Sequence, residues 1–453
     1  MRLAVLSPIP PAPTGIADYT AEVLALLAPS HEIHVFHAQG AVDPLALPPG
    51  VRVHHASGFQ KRHRDQPFDL ALYQMGNGPA HDFLYEPLLA VPGLLVLHDL
   101  VLHHARARMF LGSPEAVAYA ADAASAEKRD AARRLLARYG EEVAYSHPEA
   151  AGRLDVAHLN TTGDLLPYAY PLFRLPVETS RLVAVHNAFM AEAVREEVPE
   201  AEVARIPMAA TATPVQPEAV GSLRDRLGLR PGDFVVGSFG LLTSEKRLDT
   251  LARAVARAAV HLPDLRLLLV GPTPDRHGLG ALLARHGISA RTVVAGRVPL
   301  WTLPAHMEAA DLVVNLRYPT ARETSAALLR LLAQGRPTVM SDLEHLTDIP
   351  SDAVVRADLA DEEGEVTRAI LRLSASPRLR LRLSAAARRF AARAHSPARM
   401  RDAYLSAIDR AVRRPPPERR TAWPAHWQTV AQESEPDGGR AAVTRRATGE
   451  ATS

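Results

Sequence analysis

"FVVGSFGLLTSEKRLDTLARAVARAAV" runs from Phe234 to Val260. Its first part is a short, continuous apolar run that stops at Gly240. Such runs, bounded by turn residues, mark strands covered on both faces. A polar turn, Thr243-Ser244-Glu245-Lys246-Arg247, follows, and the Ala-, Leu- and Arg-rich remainder reads as helix. The same strand–turn–helix unit then recurs. LRLLLVGP, TVVAGRV, LVVNLRY and PTVMSDL read as strands, and RYPTARETSAALLRLLAQGRP (317–337) holds a polar knot before an apolar helix that Gly335 and Pro337 end. Alternating strands and helices of this kind build a parallel α/β domain.

A second series lies upstream. RLAVLSP, EIHVFHA, VRVHH, DLALYQMG, GLLVLHD and RLVAVHN read as strands, and residues 114–146 as helix. VARIPMAATATPVQPEAVG (203–221), rich in Pro, Ala and Thr, reads as the linker. The expected organisation is a domain over 1–205, a second over 206–395, a closing helix over 396–414 and a disordered tail over 415–453, which lacks periodicity. Trp423 and Trp427 in that tail are candidates for anchoring it on a partner.

Composition narrows the function. With 453 residues the chain is too long for one ordinary core. Hydrophobic residues at 47% and charged residues at 23% are globular proportions. The 52 basic and 50 acidic residues leave a net charge of +2, so total charge points to no partner. Arginines are not interleaved with aromatics, which argues against nucleic acid. The absence of cysteine excludes disulfides, thiolate metal sites and a thiol nucleophile. No apolar run approaches the ~20 residues of a membrane span. Met1–Leu6 reads as a first strand, being too short for a signal peptide. The expected location is the cytoplasm, in solution or peripheral to the inner face of the membrane.

Ligands of open α/β sheets bind beyond the carboxyl ends of the strands, where helix N-termini present backbone N–H groups. Four pieces sit there. Gly15, in Thr14-Gly15-Ile16-Ala17-Asp18-Tyr19, either lets a ligand approach the backbone or serves a turn. His98 ends GLLVLHD and can bond a sugar hydroxyl. A metal site with His103 and His104 is the other reading, but the spacing matches no standard zinc pattern. Lys246 and Arg247, after Gly240, either receive a diphosphate at a helix N-terminus or form a solvated surface pair. Glu323 either accepts two ribose hydroxyls or complements the dipole of the helix that Thr324 or Ser325 caps. Gly278-Leu279-Gly280 lacks the third glycine of a dinucleotide fingerprint. There is no Walker pattern and no Asp-x-Asp metal clamp.

The order and spacing of GIADYT, FGLLTSEKRLDTLARA, LLLVG, the long run from VVAGRV to PTVMSD and the closing Ser-Pro-x6-Tyr helix resemble a GT-B glycosyltransferase of the retaining family 4 type, over about residues 2–412. The resemblance implies two Rossmann-like parallel-sheet domains facing each other across a cleft. The C-terminal domain would bind the nucleotide sugar and the N-terminal domain the acceptor, without a metal or other cofactor. It further implies Lys246 at the phosphate, Glu323 at the nucleotide ribose or the sugar, Gly15 near the diphosphate, His98 near the donor sugar and Arg297 beside the base. Gly240, Arg247, Thr324 and Ser325 complete the expected donor site, and His98, Lys246 and Glu323 are the candidate catalytic residues. The chain departs from the pattern in three places. Leu241 stands where many members carry Arg, and Arg322 and Arg330 stand at the places of two Glu separated by seven residues. ARETSAA resembles a branch that reads Gly-Glu-Thr-Ser-Gly.

The implied reaction is transfer of a glycosyl unit from a nucleotide sugar to an acceptor hydroxyl, with retention. The acceptor is a glycan, a lipid-linked sugar or a small molecule. The rival is a GT-B shell without turnover that serves as a sugar-nucleotide-binding or assembly partner. Arg330, set among Leu328, Leu329, Leu331 and Leu332, needs a partner and is expected to be structural. Glu323 is expected to face the cleft alone.

Overall fold

The computed structural model describes residues 1–122, 125–152, 165–418 and 420–433. The chain packs as two compact units, Met1–His186 with Met190–Ile206 and Ala403–Ser453, and Asn187–Phe189 with Pro207–Asp402.

The first unit holds strands β1 (Arg2–Leu6), β2 (Glu32–His37), β3 (Arg52–His55), β4 (Leu70–Met75), β5 (Leu94–Leu97), β6 (Leu182–Val185) and β7 (Val203–Arg205). They form one sheet in the order β3-β2-β1-β4-β5-β6-β7, and every pairing is parallel. Leu3 lies between Ile33 and Leu70 in register, and Leu94 sits opposite Leu182. Leu3, Val5, Leu72, Leu94, Val96 and Val183 are all buried, which explains why these strands show apolar runs instead of alternation.

The second unit holds β8 (Phe234–Phe239), β9 (Leu265–Val270), β10 (Thr292–Gly296), β11 (Leu312–Asn315), β12 (Thr338–Ser341) and β13 (Val355–Ala357), in the order β10-β9-β8-β11-β12-β13, again all parallel. Successive strand residues feed two separate cores. Val236, Leu267, Leu269 and Val314 pack with Leu251, Val255 and Ala258 of the helix Leu248–Ala259. Val235, Leu268 and Val313 pack on the other side with Met307 and Leu331. Helices therefore cover both faces of this sheet, the doubly wound arrangement in which strand tips are left for ligands.

Three sequence expectations need correction. The stretch 203–221 is not wholly linker: Val203 pairs with Val183 in β7, and the helix Pro217–Arg226 begins within it. Residues 114–146 do not form one helix. Ser113 caps Pro114–Ala120 and Ser125 caps Ala126–Ser146, each serine accepting from a backbone N–H of its first turn. The tail is not structureless throughout. Ala425–Glu433 is a helix, and Trp423 and Trp427 are buried within the chain itself. The remainder of that tail, 434–453, lies outside the described residues. No helix among the described residues is long and apolar enough to cross a membrane.

Candidate functional site

The site is built at the carboxyl ends of β8, β11 and β12, all within the second unit. Gly240 follows β8 with φ 112°, a conformation that favours glycine. Its N–H bonds Val270 O at 3.0 Å, and a Cβ on the neighbouring Gly271 would lie 1.8 Å from Gly240 O, so only glycine lets the two strand tips pack this closely. Ser244–Lys246 form one turn of 3-10 helix, after which Arg247, left-handed at φ 53°, redirects the chain into Leu248–Ala259. This turn folds Lys246 back over the glycine. Its Cε and Nζ lie 3.7 Å from where a Gly240 Cβ would be. Lys246 is 8% exposed, and its ammonium makes no hydrogen bond or ion pair among the described residues. Burial pushes it well below the usual lysine range; the nearby Arg317 charge pushes the same way, and Glu245 opposes them.

Arg247 does not extend this cationic patch. Its Nε donates to Glu362 Oε2 at 2.5 Å, and the other oxygen of that buried carboxylate accepts from Ser341 Oγ. Ser341 Oγ in turn accepts from Arg317 N at 2.9 Å, which fixes the start of the loop after β11. Tyr318 N bonds Glu245 O at 2.9 Å and ties that loop to the lysine turn.

Glu323 lies in this second loop, and the expectation that it stands alone is wrong. Its Oε1 forms an ion pair with Arg317, and its Oε2 accepts from Thr320 Oγ1 at 3.2 Å. Thr320 Oγ1 also accepts from Arg322 N at 2.8 Å, supporting Arg322 at φ 62°. The Arg322 side chain leaves the site for Glu344 and lies over the Phe189 ring. Ser325 is the cap of Ala326–Ala333, accepting from Leu328 N, and Arg317 Nη2 reaches the same hydroxyl at 3.3 Å. Thr324 instead accepts from Asn187 Nδ2 at 3.1 Å. Arg330 is half-buried further along this helix.

Glu323 lines a pocket together with Asn315, Arg317, Ser325, Ser341 and His345. Asn315 Nδ2 and His345 Nδ1 are buried there without a hydrogen-bond partner among the described residues. Burial, with Arg322 and Arg317 nearby, lowers His345 to about 3, so its ring is neutral.

Of the other expected residues, Gly15 and His98 belong to the first unit and Arg297 to the second. Gly15 is exposed at the start of the helix Gly15–Leu27, which Thr14 caps, and a Cβ there would meet nothing within 4 Å in this structure. Arg297 is exposed after β10, and Leu241 is half exposed beside Gly240. His98 is buried in the first unit with both ring nitrogens engaged, Nε2 with Gln74 Oε1 at 2.8 Å and Nδ1 with His186 Nε2 at 3.1 Å. Burial holds it well below the usual histidine range, with His186 and His81 adding to the shift. His103 is likewise spoken for, by Tyr170 O and Tyr139 OH. No group of three or more His, Asp or Glu is gathered for a metal among the described residues.

Sequence reading missed Arg317, Ser341, Glu362, Asn315 and His345. Arg317 and Ser341 carried one usable signal: each sits at or just after the end of a strand, where the sheet delivers side chains to a ligand.

Residues 233–376 match the family described as "Glycosyl transferases group 1". A 2-deoxystreptamine glucosyltransferase of Streptomyces kanamyceticus is 31% identical over 133 residues, which are 29% of this chain and 34% of that protein. The match therefore spans about a third of the relative's length. Anabaena HepE, solved with UDP and glucose, superposes with a TM-score of 0.62 at 16% identity, covering 90% of this chain and 99% of that one. Sucrose-phosphate synthase from Thermosynechococcus elongatus gives 0.61 at 16% identity over 90% and 99%. WaaG, a glycosyltransferase of lipopolysaccharide biosynthesis, gives 0.59 at 13% identity over 89% and 99%. At these identities the likenesses speak to fold. The chain has the GT-B fold, and Gly240, Lys246, Arg317 and Glu323 all lie within the residues that match the glycosyl transferases group 1 family.

Proposed function

We propose that the protein transfers a glycosyl unit from a nucleotide sugar to an acceptor hydroxyl with retention of configuration. The observation that carries this reading is the buried, unpartnered Lys246 ammonium held over Gly240 inside the group 1 domain. A buried cation without a partner is costly, and a bound diphosphate would relieve that cost. In the proposed reaction the sugar C1–phosphate bond breaks as the bond to the acceptor oxygen forms on the same face. The leaving phosphate oxygen takes the acceptor proton. Lys246 and the N–H groups of the Gly240 turn would stabilise the charge that grows on the departing diphosphate. Glu323, once released from Arg317, can accept hydroxyls of the ribose or the sugar. No metal is required in this reading, which is supported by the lack of an Asp-x-Asp clamp in the sequence.

HepE was solved with UDP and glucose, so UDP-sugars are the first donors to assay. Nucleoside diphosphate release should appear only when a suitable acceptor is present, and it should persist in excess EDTA. Strict dependence on added magnesium or manganese would sink the mechanism. A second reading, a GT-B shell that binds the donor without turnover, is favoured by one observation: neither nitrogen of His98 is left for a sugar. Donor binding without release, under every acceptor tried, selects that reading.

A further inference from the structure

Two cations converge at this site, and only one of them was legible as a phosphate ligand. A nucleoside diphosphate carries more negative charge than one lysine can balance, and Leu241, in the same turn, offers none. The Arg317 loop is tied to the Lys246 turn by the bond from Tyr318 N to Glu245 O at 2.9 Å, and the Arg317 charge adds to burial in lowering the Lys246 pKa, with Glu245 opposing both. The Arg317 backbone is fixed from below through Ser341 and the buried Glu362. Its guanidinium is not fixed in the same way. It rests on Glu323, a loop carboxylate about one-fifth exposed, and on the Ser325 hydroxyl.

We propose that Arg317 is the second diphosphate-binding cation of this site, and that Glu323 is a placeholder carboxylate that occupies it until the diphosphate displaces it. This inference rests on the nucleotide-sugar reading above and deepens it. A guanidinium fork accepts carboxylate or phosphate in the same bidentate geometry, so exchange of one for the other needs little rearrangement. The exchange also gives order to binding. The diphosphate takes Arg317, and the freed Glu323 then has both oxygens for hydroxyls of the same ligand.

Calorimetry on the full chain separates the possibilities. The probes are inorganic pyrophosphate, a panel of nucleoside diphosphates, and the free nucleoside of whichever diphosphate binds. Arg317→Met should weaken pyrophosphate and nucleoside diphosphate by about tenfold or more while free nucleoside affinity, with Glu323 released, does not fall. Glu323→Gln removes the competing charge without changing shape. It should tighten pyrophosphate and leave the free nucleoside, which has no diphosphate to release Glu323 from Arg317, near wild type, a split that a merely structural role would not produce. Wild-type protein that binds no diphosphate at all would end the transferase reading, and this inference with it. Wild-type binding with pyrophosphate affinity unchanged in folded Arg317→Met overturns the inference alone. So does Glu323→Gln that binds pyrophosphate no better than wild type, and this arm decides the matter if Arg317→Met fails to fold.

Discussion

Lys246 shows how a single side chain can set stability against binding. Its ammonium is buried without a partner among the described residues, and the fold bears the desolvation cost. Because its pKa in the fold is depressed, the unfolded chain binds the proton more readily. The resulting penalty is complete below the folded pKa and is relieved as pH rises toward the ordinary 10.5. Lys246→Met keeps the aliphatic stem and removes the charge. It should therefore raise the melting temperature by about 2–4 °C for each kcal/mol regained, most below the folded pKa and less as pH rises toward 10.5, while diphosphate binding is lost. Wild-type binding should take up a proton in the window between the folded pKa and 10.5, since the paired ammonium holds its proton. Affinity then falls as pH rises through that window. Titrations in buffers of different ionisation enthalpy read this directly, and a binding heat independent of buffer there would remove Lys246 from the diphosphate.

The turn between β8 and the helix Leu248–Ala259 depends on Arg247, where two effects oppose each other. A left-handed non-glycine residue costs about 1 kcal/mol relative to glycine. The ion pair to Glu362, whose side chain is 1% exposed, works the other way. Breaking a buried pair from one side costs about 3–5 kcal/mol, less here because Arg247 is partly exposed and Ser341 still donates to the carboxylate. The pair should win. Arg247→Gly should destabilise the second unit by about 2 kcal/mol, and Arg247→Ala by about 1 kcal/mol more, in denaturant unfolding. An Arg247→Gly variant more stable than wild type would show that backbone strain dominates. The strand–turn–helix unit itself was legible because its signals are local: an apolar run, Gly240, the polar turn and the apolar helix lie within one short stretch. β7 and β13, three residues each, are too short to show a period. The state of the site was hidden for another reason. Arg317 is positioned by Ser341, 24 residues on, which is held by Glu362, another 21 on. His98 sits at its strand tip as read, but its nitrogens are taken by Gln74, 24 residues away, and His186, 88 away. Pattern reading sees the residue and not its distant partner.

The last described segment packs on the first unit, where it closes over two buried carboxylates. Glu142 receives Arg106 Nε at 2.8 Å, Trp427 Nε1 at 2.6 Å and His426 Nε2 at 2.8 Å. Glu178 receives Arg174, Tyr145, Arg420 and Trp423. The Arg106 guanidinium also lies 4.2 Å from the centre of the Tyr85 ring, so the ion pair is roofed by aromatic rings as well as by the segment. The sequence offered the two tryptophans as anchors for a partner; the partner proves to be this chain's own first unit. Burial alone would raise the Glu142 pKa. The Arg106 charge and the hydrogen bonds from His426, Arg106 and Trp427 outweigh it and hold the group at about 2, against an ordinary 4.5. A carboxylate depressed in the fold contributes stability that is present above its unfolded pKa and lost as pH falls through its folded one. The segment's contribution should therefore be whole at neutral pH and erode between about pH 4.5 and pH 2. Trp427→Phe keeps the ring and deletes one donor to a buried charge, a loss of about 1.5–3 kcal/mol. Removing residues 420–453 deletes every donor of the segment and uncovers the site, so it should destabilise the first unit by more. Scanning calorimetry of wild type and both variants from pH 7 to pH 3 should show the variants melting lower at neutral pH, with the gap narrowing below pH 4.5. A truncated protein that melts with wild type at pH 7 would mean that the segment lies on the first unit without holding it together.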